Sequence, residues 1–285
     1  RYASLCLRED RAVVLTAVKI NGSALRWATE ELRADREVVL EALKSVGGVL
    51  DCASEELWAD KEVVLTAVRQ WGIALRYASE ALRADRHVVL EAVQQHGGAL
   101  QFASQDLRAD KNIVLKAVKQ YAGALAHASK EMQVQKDVVI EAVKLHGCAL
   151  KHASEGLKAD KDVVIEAVKQ DWDALQYASG EFKADKDVML EAVKHSGYAL
   201  ETASEEMRAE KDVVLQAVIK CGKALRCASK ELQMNQDILL LAARSPQGDR
   251  LPACWGLAAE SKAILASESF RRAEASPIAI QGEGA

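Results

Sequence analysis

Only three prolines occur in 285 residues, and no apolar run approaches the roughly 18 residues that a membrane-crossing helix needs. The first scarcity, with 49% hydrophobic and 28% charged residues, describes a folded, helix-leaning chain rather than a disordered one. The second argues against membrane insertion. Charge of one sign is missing too: 38 basic residues stand against 42 acidic ones, for a net charge of −4. No global field draws such a chain to nucleic acid or to an anionic membrane. Six cysteines (Cys6, Cys52, Cys148, Cys221, Cys227 and Cys254) form no C-x-x-C pair and no regular framework. They read as reduced, mostly buried thiols of an intracellular protein, in the cytosol or an organelle. No signal peptide is visible. The chain opens on "RYAS", in the middle of a recurring phrase, which reads as a piece of something longer.

What is present is repetition. "ATEELRADREVVLEAL" at 28–43 returns as "ASEELWADKEVVLTAV" at 53–68 and "ASQDLRADKNIVLKAV" at 103–118, a step of 25 residues without insertion or deletion. Leu occupies 25, 50, 75 and every 25th position to 225; Ala does so from 3 to 228 and again from 17 to 242. The residue after the first Ala series is Ser, except for Thr29. Units start near Asp10, Asp35, Asp60, Asp85, Asp110, Gln135, Asp160, Asp185, Glu210 and Asn235. A fixed period of this length is the signature of a repeat architecture.

Each column has a physical reading. An Asp ahead of "REVVLEAL" caps the orphan amides of a helix and suits its positive end. Val38, Val39, Ala42, Leu43 and Val46 follow the helical period, and Leu40 widens the apolar arc, so this helix needs cover on both flanks. Gly at 22, 47, 72, 97, 147, 197 and 222 is expected to end the helix as a C′ glycine. A second, shorter helix follows, with Leu50, Ala53, Ser54 and Leu57 on one stripe. The unvarying Ala and Ser mark either close helix approach or a Ser cap on a separate final turn. Such a unit buries its apolar surface only by stacking. The expected fold is all-α: an α-solenoid of about ten stacked 25-residue two-helix repeats over residues 1–244. Residues 245–285 leave the pattern and read as a linker, a possible capping helix and a flexible tail.

The phrase "DREVVLEALKSVGGVLDCASEELWAD" and its copies resemble the domain of unknown function 4116 family, made of tandem short repeats. The resemblance covers residues 1–244. It rests on the Asp cap, the apolar triplet after it, the Ala-Val pair, the Gly, and "AL-x-x-AS-x-x-L". It implies no catalytic residue and no ligand. Trp172 in place of Gly, "QVQK" at 133–136 and Glu210 in place of Asp are local departures.

Catalytic, cofactor-binding and metal sites are not expected. His127, His146 and His152 are the one trio that suggests a metal, but their spacing is not that of a helical H-x-x-x-H pair. Recurring acids such as Glu41, Glu166 and Glu191, with Lys44, Lys169 and Lys194 three residues later, read as exposed ion pairs on a solvated face. No G-x-S-x-G, P-loop or dinucleotide-binding glycine pattern occurs. A basic column (Arg36, Lys61, Arg86, Lys111 and onward) suits an RNA-binding helical repeat, yet an acid usually follows each member and cancels the field a phosphate backbone needs.

Function is expected where the pattern varies. One variable column carries Trp27, Tyr77, Phe102, His127, His152 and Tyr177; another carries Trp71, Tyr121 and His146; Trp172 and Tyr198 lie close by. Six of the 13 aromatic residues fall in these two columns. Packing between neighbouring units is one reading. The other is a variable aromatic surface on a constant frame, by which solenoids bind partners. The working expectation is a non-enzymatic scaffold whose partners are other protein chains in a multi-subunit complex, with no nucleic acid, no membrane insertion and no cofactor. The alternative is an organellar RNA-binding helical repeat protein.

Overall fold

A computed structural model describes residues 4–245. Helical segments joined by short extended links make up these residues, and no strand occurs among them. No helix among them is long and apolar enough to cross a membrane. The expected linker, capping helix and tail at 245–285 lie outside the described residues, except for Ser245. By its internal contacts the chain divides into two units: Arg1–Leu145 with His152–Ser154, and His146–Lys151 with Glu155–Ala285. The described residues of each form an all-α stack of the 25-residue repeats.

The repeat that starts at Asp60 shows the local logic. Asp60 Oδ1 accepts hydrogen bonds from the amides of Glu62 (2.9 Å) and Val63 (3.0 Å), which opens the helix Lys61–Gln70. Trp71 leaves the helix in an extended conformation (φ −146°, ψ 96°), while its amide still donates to the Ala67 carbonyl at 2.9 Å. A 3-10 helix, Gly72–Tyr77, follows; the extended pair Ala78–Ser79 stops it, and a single α-turn, Glu80–Arg83, ends the repeat. The second half of the unit is thus two pieces rather than one shorter helix. Of the two readings of the Ser column, the separate turn is the one adopted, and it is capped by the side chain in some repeats but not at Thr29, Ser54, Ser129 or Ser179. The hydroxyls of Ser79, Ser104, Ser204 and Ser229 accept from amides three residues on, at 3.3–3.4 Å.

Within each unit the long helices form one layer and the 3-10 helices a second, each element packing on its counterpart in the adjacent repeat. Val63, Val64, Ala67 and Val68 are completely buried, as are Ala74 and Leu75 of the 3-10 helix. The same places are filled at 88, 89, 92, 93, 99 and 100, and again at 213, 214, 217, 218, 224 and 225. Burying one such branched side chain contributes roughly 1.5–3 kcal/mol, so a repeat's stability resides mainly in its two neighbours.

The glycine column needs a different account from the C′ cap expected of it. The long helix has already ended, and the glycine begins the 3-10 helix. No glycine in the column has the positive φ of a left-handed cap. What excludes a side chain is the next repeat: a Cβ on Gly47 would stand 2.6 Å from the Ala67 carbonyl oxygen and 2.8 Å from Gln70 Cβ. Ala122 and Trp172 show that the column yields locally.

Two ladders tie repeat to repeat. In the first, the amide of the Ser column donates to the last carbonyls of the preceding repeat's short turn. Examples are Ser79 to Trp58 (2.9 Å), Ser104 to Arg83 (2.9 Å) and Ser204 to Lys183 (2.8 Å). These carbonyls lie beyond helical partners, so the stack satisfies them. In the second, the cation after a capping Asp reaches a carboxylate at the start of the next long helix, usually the one at its cap position; Lys111, which faces Gln135 there, pairs with Asp137 instead. Arg11 meets Asp35 at 2.7 Å and Glu37 at 2.5 Å, Lys61 meets Asp85 at 2.5 Å, and Lys186 meets Glu210 at 2.6 Å and Asp212 at 2.8 Å. Arg36 with Asp60 and Arg86 with Asp110 repeat the arrangement. A capping Asp therefore serves two partners: one oxygen holds its own helix's amides, the other the preceding repeat's cation. Glu210 makes no side-chain cap, one methylene too long, yet keeps its cation. The expected pairs within one helix also form, at 2.7 Å for Glu41–Lys44 and Glu166–Lys169 and 3.0 Å for Glu191–Lys194.

Two outcomes follow from this packing. Gly47→Ala should destabilise the chain by about 1–3 kcal/mol through overpacking. Gly156→Ala, whose new Cβ meets nothing within 4 Å, should leave the melting temperature unchanged or slightly higher. Acid should act through the ladder. The Arg11 guanidinium, helped by the Val38 and Glu37 amides and opposed by desolvation, holds the Asp35 carboxyl below its usual range. The Lys61 ammonium does the same for Asp85. A carboxyl whose folded pKa is depressed contributes its full stabilisation above its unfolded value of about 3.9 and loses it as pH falls through the folded value. The melting temperature should therefore hold from pH 7 to about 5 and drop below about 4. Asp85→Asn keeps the capping oxygen but not the charge, and should show a smaller drop over the same range.

Candidate interaction surface

The two variable columns sit at opposite ends of the 3-10 helices. Trp71, His96, Tyr121, Asp171, Ser196 and Cys221 are the extended residues that link a long helix to its 3-10 helix. His96, Asp171 and Ser196 use their side chains to cap the amide two residues on; Trp71, Tyr121 and Cys221 do not, which leaves those side chains for other contacts. Tyr121 is 54% exposed and Trp71 37%. The Trp71 ring lies 3.5 Å from where a Cβ on Gly48 would stand, over the preceding repeat's 3-10 helix. The His96 and Tyr121 rings stand 6.3 Å apart, tilted by 42°. Trp71, His96 and Tyr121 thus lie on one ridge of the first unit. In the second unit Tyr198, 37% exposed, is the second residue of its 3-10 helix, and the Cys221 side chain of the next repeat raises its phenol pKa.

The other column closes the 3-10 helices and is less open. Trp27 is 42% exposed, but Tyr77, Phe102, His127, His152 and Tyr177 are half-buried. The Arg76 guanidinium lies 5.2 Å from the Tyr77 ring centre and 5.9 Å from that of Phe102 in the next repeat. Trp58 packs its ring 6.4 Å from Tyr77 and donates its indole N–H to the Leu50 carbonyl at 3.0 Å. Burial, and then the Arg108 charge, lower the His127 pKa. A recess of about 270 Å³ opens here, lined by Glu80, Arg83, Phe102, Ala103 and Ser104. Packing between repeats accounts for most of this column. Trp172, in the glycine column, is half-buried as well.

Of the three histidines weighed as a trio, only His146 belongs to a group of metal-capable side chains. Its partners are Cys148 and Asp171, with all ligand atoms within 4.8 Å of one another. The Cys148 thiol donates to Asp171 Oδ2 at 3.0 Å. Burial, then that hydrogen bond to a carboxylate, push the thiol pKa up to about 11. Cys148 and Asp171 belong to no H-x-x-x-H or C-x-x-C pattern, so local spacing does not mark them as ligands. The usable signal was the 25-residue register, which sets residue 171 of one repeat beside residue 148 of the repeat before.

Stacked 25-residue units with no strand among the described residues define an all-α tandem-repeat protein. The sequence pattern of a family described as "Domain of unknown function (DUF4116)" matches residues 1–33, 35–83, 85–133, 135–183, 166–208, 185–233 and 210–245. The chain belongs to that family. Most matches span about two of the 25-residue phrases, and several begin on a helix-capping position: Asp35, Asp85, Gln135, Asp185 and Glu210. No curated protein and no solved structure matches the chain.

The ridge and the core should respond differently to truncation. Leu75→Ala empties a fully buried site and should cost about 2–5 kcal/mol. Trp71→Ala, four residues away, should cost less than about 1 kcal/mol, because the indole is partly solvated before the change. Denaturant titration of the two variants checks the contrast.

Proposed function

We propose that this protein is a non-enzymatic helical-repeat scaffold that holds other protein chains within a larger assembly. The observation that carries the reading is the ridge of the first unit. There Trp71 and Tyr121 stand exposed three residues from completely buried Ala74 and Ala124 on a frame that hardly varies. Exposed aromatic side chains on rigid backbone are the usual anchors of protein interfaces, since they bury large area at small cost in side-chain entropy. Free thiols at Cys6, Cys52, Cys148, Cys221 and Cys227 fit an intracellular setting. Two of the five, Cys52 and Cys221, are buried.

The RNA-binding alternative is the weaker reading because of the ionic ladder. The basic column that would meet phosphates spends its charge on carboxylates of the next repeat, as at Arg36, Lys61, Arg86 and Lys161. The experiment is affinity capture with the intact chain and with Trp71→Ala/Tyr121→Ala. The scaffold reading predicts that a specific co-purifying chain is lost from the double variant while the circular dichroism and melting temperature stay as before. Capture that survives the change rejects the ridge as the docking surface. Tight RNA binding that weakens steeply with salt favours the alternative.

A further inference from the structure

Three side chains of different donor chemistry converge at one step of the second unit. His146 precedes the 3-10 helix Gly147–His152, and Cys148 is that helix's second residue. Asp171 links the long helix Lys161–Gln170 to the 3-10 helix Trp172–Tyr177 of the following repeat. The equivalent places elsewhere hold Trp71, Ile73 and His96, or Ser196, Tyr198 and Cys221. Among the described residues only the 146–148–171 step brings three metal-capable groups together.

We infer that His146, Cys148 and Asp171 form a zinc site that clips one repeat to the next. An imidazole nitrogen, a thiolate and a carboxylate oxygen are the three donor types zinc takes, in a tetrahedral arrangement that leaves one position for water. Sulfur and nitrogen donors do not suit calcium or magnesium, which select oxygen. The carboxylate is already oriented: Asp171 Oδ1 accepts from the Asp173 amide at 3.0 Å, and Oδ2 points at the sulfur. Such an outer hydrogen bond is how ligating carboxylates are commonly fixed. His146 is exposed, and Cys148 and Asp171 are half-buried, so an ion has a way in. On binding, the thiol gives its proton to solvent. Sulfur–zinc and oxygen–zinc bonds then replace the thiol–carboxylate hydrogen bond. One thiolate and one carboxylate balance the two positive charges of the ion.

Cobalt(II), a spectroscopic stand-in for zinc, and zinc itself test the site on the full chain. Added cobalt should produce a thiolate-to-cobalt charge-transfer band that zinc abolishes, and zinc should raise the melting temperature. Cys148→Ser should remove the band, whereas Cys227→Ser should keep it. His146→Ala and Asp171→Asn should each weaken zinc binding by at least about tenfold. His146 is exposed, and Asn retains the capping oxygen, so neither change should unfold the repeat. Absence of the band in the unaltered chain, or a band and zinc affinity that His146→Ala and Asp171→Asn leave unchanged, overturns the assignment.

Discussion

The long helix of each repeat carries apolar side chains on two flanks, and only a repeat on either side can cover both. Val63, Val64, Ala67 and Val68 have no exposed surface, although their own repeat contributes just a 3-10 helix and one α-turn to hide them. Stability of this kind is a sum of nearest-neighbour interfaces rather than the property of one central core. The other regularities of the chain follow from keeping that interface identical at every step. Glycine lets the 3-10 helix touch the next helix's last carbonyls. Alanine and serine keep the link short enough for a backbone hydrogen bond between repeats. The capping aspartate fixes where each helix starts and ties that start to the cation of the repeat before.

The ladders show where much of the charge of a chain with 28% charged residues is spent. Exposed ion pairs contribute little individually, typically below about 1 kcal/mol. Their consequence here is geometric. A cation that reaches both the cap and the acid two residues further on, as Arg11 does with Asp35 and Glu37, resists a slip in the register of the stack. Much of what varies along the array then falls at the two ends of the 3-10 helices, where some side chains cap an amide, as His96, Asp171 and Ser196 do, and others, as Trp71 and Tyr121, stand exposed.

Much of this was legible in the sequence because it is periodic. The 25-residue step, the Asp caps and the apolar spacing of the long helix each need only local geometry to be read; all three hold, except that Val46, expected on the helical stripe, lies past the helix end at Leu43 in the extended link. Features that depend on a neighbour 20 to 26 residues away were misread or missed. Gly47 looks like a helix terminator until the Ala67 carbonyl stands beside it. Arg36 reads as balanced by the acid beside it in sequence, and its partner at the cap of the next repeat, Asp60, is seen only in the stack. The 3-10 conformation was hidden because six residues are too few to separate a period of 3.0 from 3.6. The two aromatic columns read as one surface, yet one caps the start of the 3-10 helices and the other closes their ends. His146, Cys148 and Asp171 become neighbours only once the stacking register is known.

Native-state hydrogen exchange on the full chain, after Val89→Ala in the repeat that starts at Asp85, tests the nearest-neighbour account most directly. Val89 is completely buried, so its truncation weakens one repeat and the interfaces it makes. The account predicts that amide protection falls most in that repeat, falls in the repeats starting at Asp60 and Asp110, and stays closer to its original value in the helix Arg11–Ile20. An equal loss of protection in Arg11–Ile20 and in the repeats next to the substitution would contradict it, because a single shared core would then be what holds the unit together.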